Sequence, residues 1–121
     1  MRLTLIAGLL ALAPLTAHAA GDPDAGKSVY SGKCRICHSN TAGENRVGPS
    51  LAGVVGRKSG MYPGFNYSDA MKAANKTWDE ATLNVYLTHP KEVVPGTKMA
   101  FNGIADDTDR ANLIAYLTTL K

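Results

Sequence analysis

The sequence predicts an all-α domain of three main helices joined by short helices and glycine-rich loops, and three observations carry that reading. Asp22-Pro23 supplies a cap followed by a first helical position. Leu113, Tyr116, Leu117 and Leu120 recur at the helical period. No stretch alternates apolar and polar side chains convincingly enough to make a strand.

Residues 1–20 begin with one basic residue, Arg2, run through an apolar stretch from Leu3 to Leu15 and close on Ala17, His18, Ala19 and Ala20. That is the grammar of a secretory signal peptide, cleaved near Ala19 or Ala20, and it places the product in the periplasm. The apolar run is shorter than the roughly 20 residues of a membrane span, and no second run of that length follows, so no stable membrane insertion is expected. One working domain remains, residues 21–121, with a single modest core.

The first helix runs from Pro23 past Val29 toward Cys34. Gly26 and Tyr30, four apart, offer a flat spot and a ring to a crossing partner, for which the last helix is the candidate. Ser68 caps a short helix in SDAMKAANK. Thr77-Trp78-Asp79-Glu80 reads as a capping box for a helix carrying Leu83, Tyr86 and Leu87 and ended by Pro90. The last helix starts among the acids Asp106 to Asp109, which suit a helix N-terminus.

The formal charge is +3 and falls to +2 once Arg2 leaves with the leader. Such a weakly basic chain lacks the dense Lys/Arg face that phosphate binding demands, which excludes nucleic acid as a partner. No large apolar stripe is left over for a stable interface, so a monomer is expected.

Chemistry concentrates in SGKCRICHSN, where Cys34 and Cys37 are the only cysteines. A disulfide between them would close a tiny loop and stabilise little. A thioredoxin-like CxxC follows a strand, which the preceding stretch does not resemble. Zinc wants two further ligands, and without the leader only His38 and His89 remain as histidines. CxxCH accounts for all three residues together: two thiols add to the vinyl groups of a haem as thioethers, and the adjacent histidine ligates the iron. Three apart on a helical turn, the thiols share a face, and export suits covalent attachment. The loops are too glycine-rich and polar to form a core alone, so one haem c becomes its centre and an apoprotein is expected to be largely unfolded.

The second axial ligand decides between an open, reactive iron and a closed one that passes electrons. Met61, Met71, Met99, His89 and Lys98 are the candidates. Met61 lies in a glycine-rich loop, Met71 suits packing on a short helix, and His89 ends a helix before Pro90. Pro95-Gly96 sets a tight turn before Met99, whose segment is free to drape over a flat ligand. A thioether is also a soft ligand that favours reduced iron.

With these residues in view the chain resembles the small soluble class I cytochromes c, mitochondrial and bacterial. The likeness runs through nearly all of residues 21–121: CRICH, GPSLAGVVGRKSG, PGFNYSDA, the TW pair, LTHPKEVVPGTKMAF and NLIAYL, in that order. It implies the cytochrome c fold, three main helices plus short helices and loops wrapped around a covalently bound haem. It implies His38 and Met99 as axial ligands, Cys34 and Cys37 as attachment points, and a Pro49 carbonyl that orients the His38 ring. Arg57, Tyr67 and Trp78 match groups that hydrogen-bond a buried haem propionate. Tyr86 and Thr97 match the polar neighbours on the methionine side, and Phe101 the aromatic over the haem edge. The implied function is one-electron transfer, not enzymatic turnover. The donor would be a bc1-type complex or a dehydrogenase, the acceptor an oxidase or photosynthetic reaction centre, each docking transiently at the haem edge. A haem peroxidase or gas sensor with a labile distal ligand is the alternative.

The residue chemistry agrees independently, since a buried carboxylate needs donors of the Arg57, Tyr67 and Trp78 kind. Two departures from the mitochondrial pattern stand out. Lys33, Lys91 and Lys98 are kept, but Glu92, Asp106 and Asp107 take rim positions that are basic there, so electrostatic steering should be weaker. Met71 stands where many relatives carry an asparagine in a polar network near the haem.

Overall fold

The computed structural model describes residues 21–121, so the expected signal peptide lies outside the described residues. These residues form α1 (Pro23–Lys33), α2 (Asp69–Ala73), α3 (Glu80–Thr88), α4 (Pro90–Val93) and α5 (Asp107–Thr118), with no strand among them beyond an isolated antiparallel bridge between Lys58 and Thr77. None of the helices is long and apolar enough to cross a membrane.

The capping chemistry of the sequence sets most boundaries. The Asp22 carboxylate accepts from the Asp24 N–H at 2.9 Å, with Pro23 opening α1. Ser68 accepts from Met71 N–H at 3.1 Å to start α2, and Asp106 accepts from Asp109 N–H at 2.8 Å to start α5. Two boundaries differ from the sequence reading. The cap of α3 is Asp79, which accepts from Thr82 N–H at 2.7 Å, not Thr77. Thr77 and Trp78 are held extended against the 56–58 segment: Trp78 N–H donates to the Arg57 carbonyl and Gly56 N–H to the Trp78 carbonyl, both at 2.8 Å. Helical dihedrals therefore begin two residues later than the capping-box pattern suggests. Pro90 does stop α3, but it also opens α4, where its missing N–H costs nothing.

The first and last helices cross. Gly26 makes this crossing close, because a Cβ there would collide with the Asn112 carbonyl and stand 2.9 Å from Tyr116 Cβ. Next to it the Tyr30 and Tyr116 rings pack at 5.3 Å between centroids, tilted by 48°. Asp22 N–H donates to Asn112 Oδ1 at 2.8 Å, tying the start of α1 to α5.

Leu83, Tyr86 and Leu87 of α3, Leu113 and Leu117 of α5, Val54 and Trp78 form a buried cluster with Tyr30, Val94 and Ile104. One buried cation joins it. The Arg110 side chain is 7% exposed and donates to Asn84 Oδ1 at 3.0 Å and to the carbonyls of Ile104 and Ala105 at 2.9 and 3.1 Å, with Asp107 as its ionic partner. It fastens the 104–105 segment to α3 and α5.

Candidate functional site

The buried cluster does not close on itself. A cavity of about 400 Å³ opens between the turn after α1, the 47–57 segment, α3, the 97–101 segment and α5, and Leu83, Leu87, Leu113 and Leu117 form part of its wall. Cys34, Cys37, His38, Pro49, Arg57, Tyr67, Trp78, Tyr86, Thr97, Met99 and Phe101 all line it. Of the other ligand candidates Met71 and Lys98 reach the wall, whereas Met61 is 68% exposed and His89 ends α3 on the surface.

The CxxCH residues leave α1 as one further helical turn. Cys34 N–H donates to the Tyr30 carbonyl at 2.8 Å and His38 N–H to the Cys34 carbonyl at 2.9 Å, while the Tyr30 hydroxyl donates to the His38 carbonyl at 2.9 Å. Both thiols are free. Burial pushes the Cys34 thiol up to about 11, against a smaller opposing pull from Lys33. A thiol redox centre needs a depressed thiol, and Cys34 is shifted the other way.

His38 is pinned from two sides. Its Nδ1 lies 2.7 Å from the Pro49 carbonyl, which can only accept, so Nδ1 carries the proton and Nε2 keeps its lone pair. Gly48 leaves room for the ring: a Cβ there would stand 2.6 Å from Nδ1 and 2.8 Å from Nε2. Burial lowers the imidazole pKa, the Pro49 hydrogen bond opposes this, and the Arg57 charge adds to it. A neutral imidazole results.

On the other chain segment, Met99 N–H donates to Thr97 Oγ1 at 3.2 Å, and the Tyr86 hydroxyl lies 3.9 Å from Met99 Sδ. Burial pushes the Tyr86 phenol up to about 12, with a hydrogen bond to Thr97 opposing, so it stays a neutral donor. The indole of Trp78 packs at 4.6 Å on Tyr86. Arg57 donates to the carbonyls of Ser50 and Ala52, at 2.8 and 2.5 Å, and stacks 4.1 Å over the Tyr62 ring. Tyr67 accepts from Tyr62 N–H at 3.2 Å.

The rim carries both charged and apolar side chains. Of its six charged positions only Lys33 and Lys98 line the cavity. Asp106 caps α5, Asp107 pairs with Arg110, and Lys91 donates to Asn102 Oδ1 at 3.1 Å. The lip is instead apolar, for Ile36 and Val47 line the cavity while 85% and 77% exposed. Sequence reasoning passed over both, along with Gly48 and Arg110. The Gly48-Pro49 dipeptide beside the candidate ligand was the available signal for Gly48.

The donor set fits a haem. An apolar chamber carries two free thiols three residues apart, an imidazole with its ligating nitrogen free, and a thioether. That combination defines a protein that holds a c-type haem. The chain belongs to the cytochrome c family, whose model matches residues 23–121. It is 54% identical over 105 residues to cytochrome c2 of Rhodomicrobium vannielii, covering 86% of this chain and 83% of that protein. With cytochrome c2 of Rhodoblastus acidophilus it shares 53% identity over 103 residues, 84% of this chain and 95% of the relative. Among solved structures, cytochrome cH from Methylobacterium extorquens superposes with a TM-score of 0.76 at 46% identity, over 82% of this chain and 99% of that one. The all-α cytochrome c fold, a covalently attached c-type haem and a role as an electron carrier rather than an enzyme follow from this membership.

Proposed function

We propose that the chain is an exported one-electron carrier whose haem is bound through Cys34 and Cys37 and whose iron is ligated by His38 and Met99. It works as a periplasmic monomer, taking electrons from a bc1-type complex or a dehydrogenase and delivering them to a terminal oxidase or photosynthetic reaction centre. One observation carries the reading: a neutral imidazole aimed by Pro49 and a soft sulfur attended by Tyr86 line one apolar cavity.

When bound, the haem supplies an iron that gains and loses a single electron. The protein does the rest. Pro49 holds the His38 tautomer, so the ligating nitrogen needs no proton transfer as charge changes. Tyr86 directs its O–H toward the Met99 sulfur and Thr97 anchors the Met99 backbone, which together favour an undissociated ligand. Arg57, Tyr67 and Trp78, which line the cavity, are the donors that would meet a carboxylate of the group. Leucines of α3 and α5 line the cavity and exclude water, and Phe101 beside them would cover an edge of the group. Transient docking of partner proteins falls at the apolar lip flanked by Lys33 and Lys98.

The test is optical. The holoprotein should show the weak long-wavelength band of methionine sulfur on ferric iron and lose it on Met99→Ala. Ready binding of carbon monoxide by the native protein at neutral pH would overturn the reading.

A further inference from the structure

The segment that returns the chain from Met99 to α5 carries a reactive pair that electron transfer does not use. Asn102 is the only asparagine of the chain followed by glycine. We propose that Asn102-Gly103 is a self-modifying site. The Gly103 backbone nitrogen attacks the Asn102 side-chain carbon, ammonia leaves as the N–C bond of a succinimide forms, and water opens that ring to aspartate or isoaspartate.

Four features of the fold favour the step. Asn102 is exposed in a stretch without regular structure. The Gly103 N–H makes no hydrogen bond among the described residues, so the nucleophile is not held elsewhere. Gly103 has no side chain to hinder the approach of its nitrogen. Lys91 Nζ donates to Asn102 Oδ1 at 3.1 Å. That charged donor drains electron density from the carbon under attack and stabilises the oxyanion of the tetrahedral adduct.

The site's position gives the change an effect at the ligand. Isoaspartate reroutes the backbone through the side chain and lengthens it by a methylene. Downstream there is no slack: Ile104 N–H donates to the Leu87 carbonyl at 2.8 Å, and Arg110 holds the Ile104 and Ala105 carbonyls. Gly103, at φ +100°, is wedged on α3 so that a Cβ would stand 2.9 Å from the Leu87 carbonyl oxygen and collide with that of Thr88. The extra length is therefore taken up on the Met99 side, through Phe101. This last consequence rests on Met99 being a ligand; the chemistry at Asn102 does not.

The experiment ages the holoprotein at mildly alkaline pH and maps each asparagine by peptide mass, with the free peptide spanning residues 99–105 aged in parallel. The expected result is the increment of NH replaced by O at Asn102 ahead of every other asparagine, with isoaspartate detected by enzymatic methylation. Asn102→Gln should remove it, and Lys91→Met should slow it roughly threefold to tenfold, the weight of one solvent-exposed hydrogen bond. In the isoaspartate fraction the methionine-sulfur band should weaken, while the Asn102→Asp variant, with its backbone length unchanged, should keep it. The inference fails if Asn102 retains its amide while the free peptide converts, if another asparagine changes first, or if Lys91→Met ages at the native rate. Isoaspartate at Asn102 together with a band that survives Met99→Ala would instead sink the ligand assignment and leave the site standing.

Discussion

Gly48 lies against the flat of the His38 ring, so close that a methyl group on it would reach within 2.6 Å of Nδ1 and 2.8 Å of Nε2. The ring and the Pro49 carbonyl cannot both hold their places around such a group. Gly48→Ala is expected to cost about 1–3 kcal/mol through overpacking and to break the 2.7 Å contact that orients the imidazole. Absorption spectra should show mixed or high-spin iron with haem still attached by mass; an unaltered low-spin spectrum would contradict the steric account.

Tyr86→Phe tests the hydroxyl facing the Met99 sulfur. The O–H draws density from the sulfur, so its loss makes the thioether a stronger donor to oxidised iron and should lower the reduction potential. One modest hydrogen bond of about 0.5–1.5 kcal/mol corresponds to roughly 20–60 mV for one electron. Voltammetry of the pair reads it directly.

The same residue fixes an alkaline dependence. Its phenol titrates at 10.0 when free and is pushed up to about 12 by burial. Between those values the unfolded chain releases a proton that the folded one retains. Stability is therefore intact below pH 10 and falls as pH rises through this window, by about 2–3 kcal/mol at its upper end. Tyr86→Phe should flatten that limb of a denaturant-melt series, leaving the limb below pH 10 parallel to the native one.

Arg110 and Asp107 separate two kinds of contact. The Asp107 side chain is 92% exposed, so its ion pair with Arg110 is screened, and Asp107→Asn should stay within about 0.5 kcal/mol of native. Arg110→Met strips donors from two main-chain carbonyls and Asn84, and should cost about 2–3 kcal/mol. Equal effects of the two substitutions in guanidinium unfolding would refute this partition.

Removing the haem tests the core. Leaving some 400 Å³ empty would cost about 10 kcal/mol at ~24 cal/mol per Å³ if the walls stayed in place. Small domains have a total stability of about 5–15 kcal/mol. Replacing both Cys34 and Cys37 by alanine should therefore yield a chain with little helical circular dichroism, and a folded, haem-free product would refute the estimate.

Local chemistry was the legible part of the sequence. Asp22, Ser68 and Asp106 cap where side chain and neighbours allow no competing partner, and CxxCH names its chemistry within five residues. Thr77 misled because its partner, Lys58, is distant in sequence, and a bridge outcompeted the cap. Arg110 and the apolar lip of Ile36 and Val47 were hidden for the same reason, since burial and exposure depend on segments brought together only by folding.

The crossing of α1 over α5 joins the two ends of the described chain, and so acts as a clasp around everything between. Closing such a loop costs entropy that grows only with the logarithm of its length, roughly 0.6 kcal/mol per doubling. Extra residues near Gly43, where an added side chain would meet nothing, should hardly loosen the clasp. Length can therefore drift at that bend across evolution, while the contact between Gly26 and Asn112 tolerates not even a methyl group.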